Sequence, residues 1–250
     1  SHQGAYAHTN IVQEWLSAID RSDNDLRCGI QFPNDNYTHQ TLLKENKKPC
    51  QYHNNCSGKH TGFLTLSKYL NGDQDYHCLK HPVQQAIKSC FEDLTNTSNA
   101  LSVMDGCSAP NFACTLNGLA QSMAIISEAT EISSSSRTRA AYKLLHAMLE
   151  YPGLIAGDGR ACTELMLAMD KRAAIKTGAE AVFVAMIPEL ALGIALKIED
   201  GNMRASEAVI AELLVRYNIL DSKHPMAIKR LKGPIKNWNG FKTGEYKICF

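Results

Sequence analysis

Apolar residues recur every three or four positions through much of the chain, which is the spacing of one face of an α-helix. The helices predicted from this spacing cover residues 10–19, 58–70, 81–94, 114–128, 137–149, 162–169 and 205–217. Thr9 or Asn10 is a candidate N-cap for the first helix, and Pro82 suits the first turn of the third. Residues 20–48 are polar and rich in turn-forming residues, so we expect little regular structure there.

Short apolar runs between turn-forming residues predict the strands. They lie at residues 100–104, 181–187 and 190–198, with residues 246–250 as a candidate last strand. Pro188-Glu189 joins the two central runs. The elements therefore come in the order helices, then strands, then one helix. This order is typical of an α+β fold, in which helices pack on an antiparallel sheet.

Composition and charge are those of an ordinary globular protein. Of the 250 residues, 44% are apolar and 20% are charged, and the formal net charge is +1. The basic residues are scattered, which argues against a nucleic-acid partner. The longest apolar stretch, residues 181–198, is interrupted by Pro188, Glu189 and Lys197, and the N-terminus lacks the pattern of a signal peptide. We therefore expect no membrane partner.

The nine cysteines are an odd number, and they lack the spacing of a disulfide framework. A chain of this length has enough residues to build a core without disulfide bonds. We therefore interpret most of the cysteines as reduced thiols, and we expect the protein to be cytoplasmic.

The tripeptide Lys176-Thr177-Gly178 stands at the start of the central apolar strands. A lysine, a hydroxyl and a glycine at this place form one wall of the acyl-transfer site in penicillin-recognising serine enzymes. The same tripeptide recurs at residues 242–244, so it can also be an ordinary strand start. The first copy is favoured because two apolar strands follow it. The serine nucleophile of those enzymes is followed three positions later by lysine, and no serine of this chain is.

The segment "HNNCSGKH" and the later "MDGCSAP" contain a candidate metal site. A helix starting near residue 58 puts Cys56 and Lys59 on one side, and Cys107 supplies a second thiol. Two thiolates from distant segments can hold zinc together with a third ligand. His53 and His60 are the conventional choices for that ligand, whereas Lys59 binds a metal only as a neutral amine. On spacing alone, two distant cysteines are more often core residues than ligands.

Several sequence blocks, taken together and in order, resemble the thermolabile L-asparaginase II family (class 3, the rhizobial type). The blocks are "CGIQFP", "HNNCSGKHTGFL", "HPVQQAI", "DGCSAP", "KTGAEAVF" and "GPIKNWNGFKTGEY". The resemblance implies a fold similar to serine β-lactamases, with helices packed on an antiparallel sheet and a helical lobe. It also implies a homodimer that hydrolyses L-asparagine to L-aspartate and ammonia.

The resemblance also implies roles for individual residues. Ser1, in "SHQGAYAH", matches the serine that opens the family's "SHxGE" motif, and Lys176 matches its second catalytic lysine. Zinc, one ion per chain, would be bound by Cys56, Lys59 and Cys107. Asp105 matches a substrate-site aspartate, and Thr177 and Gly178 would also contact substrate.

Three departures from the family pattern leave alternatives open. The segment with the primary serine and lysine is absent, Ala5 replaces a motif glutamate, and Cys162 replaces a motif aspartate. Our leading expectation is a single asparaginase II-type domain over residues 1–250 that lacks its N-terminal segment. One alternative is a non-catalytic, zinc-containing relative that binds an amino acid. The other is an N-terminal-nucleophile hydrolase, with Ser1 activated by its own α-amino group.

Overall fold

Helices and small antiparallel sheets make up the fold, as seen in a computed structural model that describes residues 1–249. This mixture confirms the predicted α+β class. The chain divides into two compact units, Ser1–Thr115 and Leu116–Phe250. The expectation of a single domain stays a prediction. None of the helices in the described part of the chain has both the length and the apolar character to cross a membrane.

The first unit consists of helices followed by a short hairpin. Its elements are α1 (Tyr6–Ala18), α2 (Asn36–Lys44), α3 (Ser57–Tyr69), α4 (Pro82–Thr95), β1 (Ser102–Met104) and β2 (Pro110–Phe112). Helices α3 and α4 lie within one residue of their predicted bounds, and Pro82 is in the first turn of α4 as expected. Leu16, Leu64, Tyr76 and Val83 form a buried core, against which Cys107 also packs.

Helix α1 begins earlier than predicted. It starts at Tyr6, so Thr9 and Asn10 lie inside the helix, and neither is its cap. The carbonyl of Ala5 accepts hydrogen bonds from the amides of the first turn. The helix can start there because the preceding Gly4 has a φ of 71°, which turns the chain sharply.

The expectation that residues 20–48 lack regular structure is wrong, because α2 lies within them. The carboxylate of Asp35 caps this helix and accepts hydrogen bonds from the amide of Thr38 at 2.8 Å and from its hydroxyl at 2.6 Å. Thr38 and Leu42, four positions apart, are both buried. A cap and one short buried face are therefore enough to stabilise a helix in a polar stretch.

The second unit places helices around a three-stranded antiparallel sheet of order β3-β4-β5. Its elements are α5 (Leu116–Ser127), α6 (Ser136–Glu150), α7 (Pro152–Ile155), α8 (Ala161–Ala168), β3 (Ala174–Thr177), β4 (Val182–Ile187), β5 (Leu192–Lys197), α9 (Met203–Arg216), α10 (Pro225–Leu231), β6 (Ile235–Lys236) and β7 (Lys242–Gly244). The helices and strands predicted for this half lie within two residues of these bounds, except the last strand. Strand β3, helices α7 and α10 and the pair β6-β7 were not predicted, and Lys176-Thr177 ends a strand instead of starting one.

The strand expected at residues 246–250 is wrong for residues 246–249, which form no strand, and Phe250 lies outside the described residues. A strand needs a partner for its backbone groups. The available partner, β6, pairs instead with β7, where Lys242 lies opposite Lys236.

Helix α5 packs closely on β5, and β3 is the opposite edge strand of the same sheet. Gly193, in β5, lies against α5 so closely that a Cβ there would be 2.1 Å from the carbonyl oxygen of Ala120. Ala174 and Ile175 in β3 are fully buried, whereas Lys176 and Thr177 at its end are partly exposed. The buried half of the strand thus anchors residues whose polar groups remain accessible.

Candidate active site

The start of α3 is held by a buried asparagine. The side-chain oxygen of Asn54 accepts a hydrogen bond from the amide of Cys56 at 2.8 Å, and its amide nitrogen donates to the carbonyl of Cys28 at 2.7 Å. Asn54 therefore ties the "CGIQFP" segment to the residue that precedes the helix. Cys56 is the N-cap residue, and Lys59 follows in the first turn, so both lie on one side as predicted.

A histidine ties the first residues of the chain to the same helix end. The amide of Gly4 donates to Nδ1 of His2 at 3.2 Å, and Nε2 of that ring lies 3.1 Å from Oγ of Ser57. Because Nδ1 is an acceptor, Nε2–H is the donor, and the Ser57 hydroxyl donates its own hydrogen bond to the carbonyl of Tyr52 at 2.9 Å. This arrangement places Oγ of Ser1 3.7 Å from Sγ of Cys56.

The loop of the β1-β2 hairpin supplies the remaining groups. Inside it, the amide of Asp105 donates to the carbonyl of Ala109 at 2.8 Å, and Ser108 adopts a φ of 66°. Cys107, which is buried, shares hydrogen bonds with Cys56 and Lys59. The five residues that this first unit brings together are Ser1, Cys56, Lys59, Asp105 and Cys107.

The two thiols have opposite pKa shifts because they share one hydrogen bond. The bond from Cys107 is the main cause that lowers the pKa of Cys56 to about 6, and burial opposes it while Lys59 and Ser1 assist it. The same bond and burial raise the pKa of Cys107 to about 12. Without a metal at neutral pH, Cys56 is therefore a thiolate that accepts from the Cys107 thiol and from the Ser1 hydroxyl.

Lys59 and Asp105 form an ion pair beside the thiols, with Nζ 3.2 Å from Oδ2. Burial acts to lower the pKa of Lys59, but Cys107, Cys56 and Asp105 together outweigh burial, and the pKa is raised. Burial likewise acts to raise the pKa of Asp105, and Lys59 outweighs it, so that pKa is lowered. Both groups are therefore charged at neutral pH.

The donor set suits zinc only if Lys59 takes part. Across residues 1–249, no three histidine, cysteine, aspartate or glutamate side chains are placed to hold a metal ion. The two thiols, one already ionised, match the preference of zinc for sulfur ligands. A third protein ligand in this cluster must then be the amine of Lys59, which has to lose its proton first.

The two histidines considered as third ligands have other contacts. Nδ1 of His53 lies 3.4 Å from Sγ of Cys50, while Nδ1 of His60 lies 2.8 Å from the hydroxyl of Tyr76. His60 is fully buried and lowers the pKa of the Cys107 thiol, although its Nε2 makes no hydrogen bond of normal geometry. His60 therefore favours the thiolate form of Cys107. Sequence spacing could not reveal that Tyr76 orients this histidine.

In the second unit, the backbone around Lys176 is held by an unexpected acceptor. The amide of Thr177 donates to Sγ of Cys162 at 3.2 Å, and the amide of Gly178 donates to the carbonyl of Val182 at 2.7 Å. Cys162, which stands where an aspartate was expected, is buried. Its thiol thus supports the end of β3. The second copy of the tripeptide, residues 242–244, forms β7, whereas the first copy ends β3 and continues one residue past it.

Comparison with known proteins gives one clear result. The chain matches the family described as L-asparaginase II over residues 1–248. A search of curated proteins found no match. Because the family match extends over nearly all of the 250 residues, this protein belongs to the L-asparaginase II family and is an amidohydrolase.

Proposed function

We propose that this protein hydrolyses L-asparagine to L-aspartate and ammonia by a serine/lysine acyl-enzyme mechanism, beside a zinc site formed by Cys56, Lys59 and Cys107. Membership of the L-asparaginase II family supports asparagine as the substrate. The observation that carries the proposal is the convergence of a serine hydroxyl, a carboxylate, two thiols and a lysine at the start of α3.

The side chains of the first unit provide for substrate binding. Asp105 is ionised and half-exposed, so its carboxylate can accept hydrogen bonds from the α-ammonium group of asparagine. In the unliganded protein that carboxylate is paired with Lys59. Zinc, when bound, supplies a positive charge that attracts and polarises substrate oxygen atoms.

Ser1 and Lys176 are the proposed proton carriers. In an acyl-enzyme mechanism a serine hydroxyl adds to the amide carbon and gives its proton to a base, and a proton then reaches the amide nitrogen as the C–N bond breaks and ammonia leaves. Water next adds to the ester and releases aspartate. Thr177 and Gly178, at the exposed end of β3, are proposed to contact the substrate. No serine among these 250 residues is followed by a lysine three positions later. The attacking hydroxyl is therefore proposed to be that of Ser1 or of a serine outside these residues.

We also propose a serine β-lactamase-like fold, a homodimer and a cytoplasmic location. The fold proposal is supported by a lysine-threonine-glycine strand that is followed by two antiparallel strands and a helix. The location is supported by the nine cysteines, which are all free. Light scattering of the purified protein tests the homodimer directly.

A second candidate function is a zinc-containing protein that binds an amino acid without hydrolysing it. The observations that favour it are Ala5 and Cys162, which stand where the family pattern has carboxylates. This candidate keeps the cluster around Cys56 and Asp105 but assigns it to binding alone.

The deciding experiment measures ammonia release from L-asparagine, with and without added zinc, for the wild type, Lys176→Ala and Lys197→Ala. Lys197 is the matched control because it lies in β5 of the same sheet and is exposed. Turnover that Lys176→Ala abolishes and Lys197→Ala preserves supports the amidohydrolase. Calorimetric binding of asparagine without turnover supports the binding protein. Turnover that is equal in all three proteins contradicts the role of Lys176.

A further inference from the structure

A cleft in the second unit is lined by four basic side chains. Its volume is about 410 Å³, which is enough for a small ligand. The residues around it come from the start of α8, the first turns of α9, helix α10 and Tyr246. The basic side chains are Arg160, Arg204, Lys229 and Arg230. Residues 176–178 do not line it.

Carboxylates balance only part of this charge. Glu164 pairs with Lys229 at 2.7 Å and with Arg230 at 2.6 Å, and Glu207 lies 2.9 Å from Nε of Arg230. Four cations therefore face two carboxylates, and two positive charges remain in excess.

Arg160 and Arg204 account for the excess. Within the described residues, neither side chain forms a hydrogen bond or an ion pair. Arg160 is the N-cap residue of α8, and Arg204 lies in the first turn of α9. Helix N-termini carry partial positive charge, so a guanidinium group there is unfavourable unless an anion is nearby. A ligand that carries negative charge would stabilise both of these groups in one cleft.

The buried Arg230 is held in place by two carboxylates, those of Glu164 and Glu207. Only 7% of this residue is exposed, and it lines the cleft. Its Nε, although close to Glu207, makes no hydrogen bond of normal geometry. Because Oε2 of Glu207 already lies 2.9 Å from this nitrogen, Arg230 is a fixed cation of the cleft, and Arg160 and Arg204 supply the uncompensated charge.

We propose that this cleft binds a small ligand through a phosphate group. Each guanidinium presents paired N–H donors whose geometry matches phosphate oxygens, and three arginines line this cleft. A phosphate offers more acceptor oxygens to three such groups than a carboxylate does. Tyr246 adds an aromatic ring and a hydroxyl at the edge for the rest of the ligand. None of the residues proposed for amide hydrolysis lines this cleft.

The test is calorimetric titration of the whole protein with inorganic phosphate and with pyrophosphate, in chloride buffers of constant ionic strength. We expect saturable binding that Arg204→Gln weakens about tenfold, because a charge-assisted hydrogen bond is lost. Arg216→Gln is the matched control, since Arg216 lies on the same helix but pairs with Glu212 and does not line the cleft. The phosphate affinity of Arg204→Lys should lie between those of the wild type and Arg204→Gln.

Three results would overturn the proposal. The first is the absence of saturable binding of either phosphate probe. The second is equal weakening by Arg204→Gln and Arg216→Gln, since net charge alone would then explain the binding. The third is saturable binding of succinate with none of phosphate. Unfolding temperatures measured without phosphate check that the variants are folded, and Arg204 is exposed, so its replacement leaves the core intact.

Discussion

Nζ of Lys59 lies 3.2 Å from Oδ2 of Asp105, although the two residues are 46 positions apart. The pair joins the proposed amine ligand of zinc to the proposed binding group for the substrate ammonium. While Lys59 keeps its proton, it occupies Asp105 and cannot bind a metal. Deprotonation of Lys59 would therefore complete the metal site and free the carboxylate at the same time.

Zinc binding should release protons. At pH 7.5 Cys56, with a pKa of about 6, is already a thiolate, whereas Cys107, with a pKa of about 12, and Lys59, whose pKa is raised, are protonated. Binding through all three groups should thus release about two protons, and the zinc affinity should rise roughly a hundredfold per pH unit near neutral pH. Calorimetry in buffers of different ionisation enthalpy measures the proton count.

The variant that tests the ligand set and its matched control both lie on helix α3. Lys59→Gln should release about one proton fewer and bind zinc more weakly. Lys68→Gln, which removes the contacts of the amine with Asp20 and with the carbonyl of Ile19, should behave as the wild type. Zinc binding without proton release would contradict the proposed ligand set.

Cys56 should be alkylated at a lower pH than an ordinary thiol. Its pKa is lowered from 9.0 to about 6, and the thiolate is the reactive form, so iodoacetamide labelling of the metal-free protein should be half-maximal near pH 6. Mass spectrometry measures labelling at each cysteine. Cys78, which is exposed, serves as the accessible reference thiol. We expect zinc to protect Cys56 and not Cys78; identical pH profiles for the two would argue against the thiolate.

Gly4→Ala should displace the first residues of the chain. Gly4 has a φ of 71°, and a Cβ there would lie 2.6 Å from the carbonyl oxygen of His53. Gly29→Ala is the control, because Gly29 has a φ of 77° with open space around it. Each substitution should lower the free energy of unfolding by about 1–2 kcal/mol for the backbone alone. Only Gly4→Ala should also bring a Cβ into overlap with the carbonyl oxygen of His53. That substitution should therefore lower the free energy of unfolding further and reduce asparaginase activity.

Urea unfolding and the ammonia assay separate these two effects. If Gly4→Ala and Gly29→Ala proved equally stable and equally active, the close approach to His53 would have no consequence for Ser1. A larger loss of activity than of stability in Gly4→Ala would locate the effect at the position of Ser1 beside Cys56.

Cys162→Ala should leave the amide of Thr177 without its acceptor. The loss of a partner for a partly buried donor costs about 1–3 kcal/mol in the free energy of unfolding. Cys162→Ser keeps an acceptor at this position and should lose less. Urea unfolding measures both, and the ammonia assay shows whether the end of β3 has moved. Equal destabilisation by the two substitutions would mean that the thiol only fills space.

Elements specified by residues within their own segment were predicted more accurately than elements that depend on contacts with distant residues. Helices α3 and α4 lie within one residue of prediction because spacing, a proline and turn residues within the segment specify them. Helix α2 was missed because its buried face is short and its cap, Asp35, also suits a turn. The pair β6-β7 was missed because a strand forms only where a partner lies beside it, and the pairing of Ile235 with Gly244 is not visible in either segment alone.

The sequence by itself determined the α+β class, most of the element bounds and the placement of Cys56 and Lys59 on one side of a helix. These follow from local spacing and from motif order. Only the tertiary structure decided that Cys107 shares a proton with Cys56, that Tyr76 orients His60, and that Cys162 accepts from Thr177. These contacts join residues far apart in the chain, and their energies depend on burial and distance, which the linear order of residues does not specify.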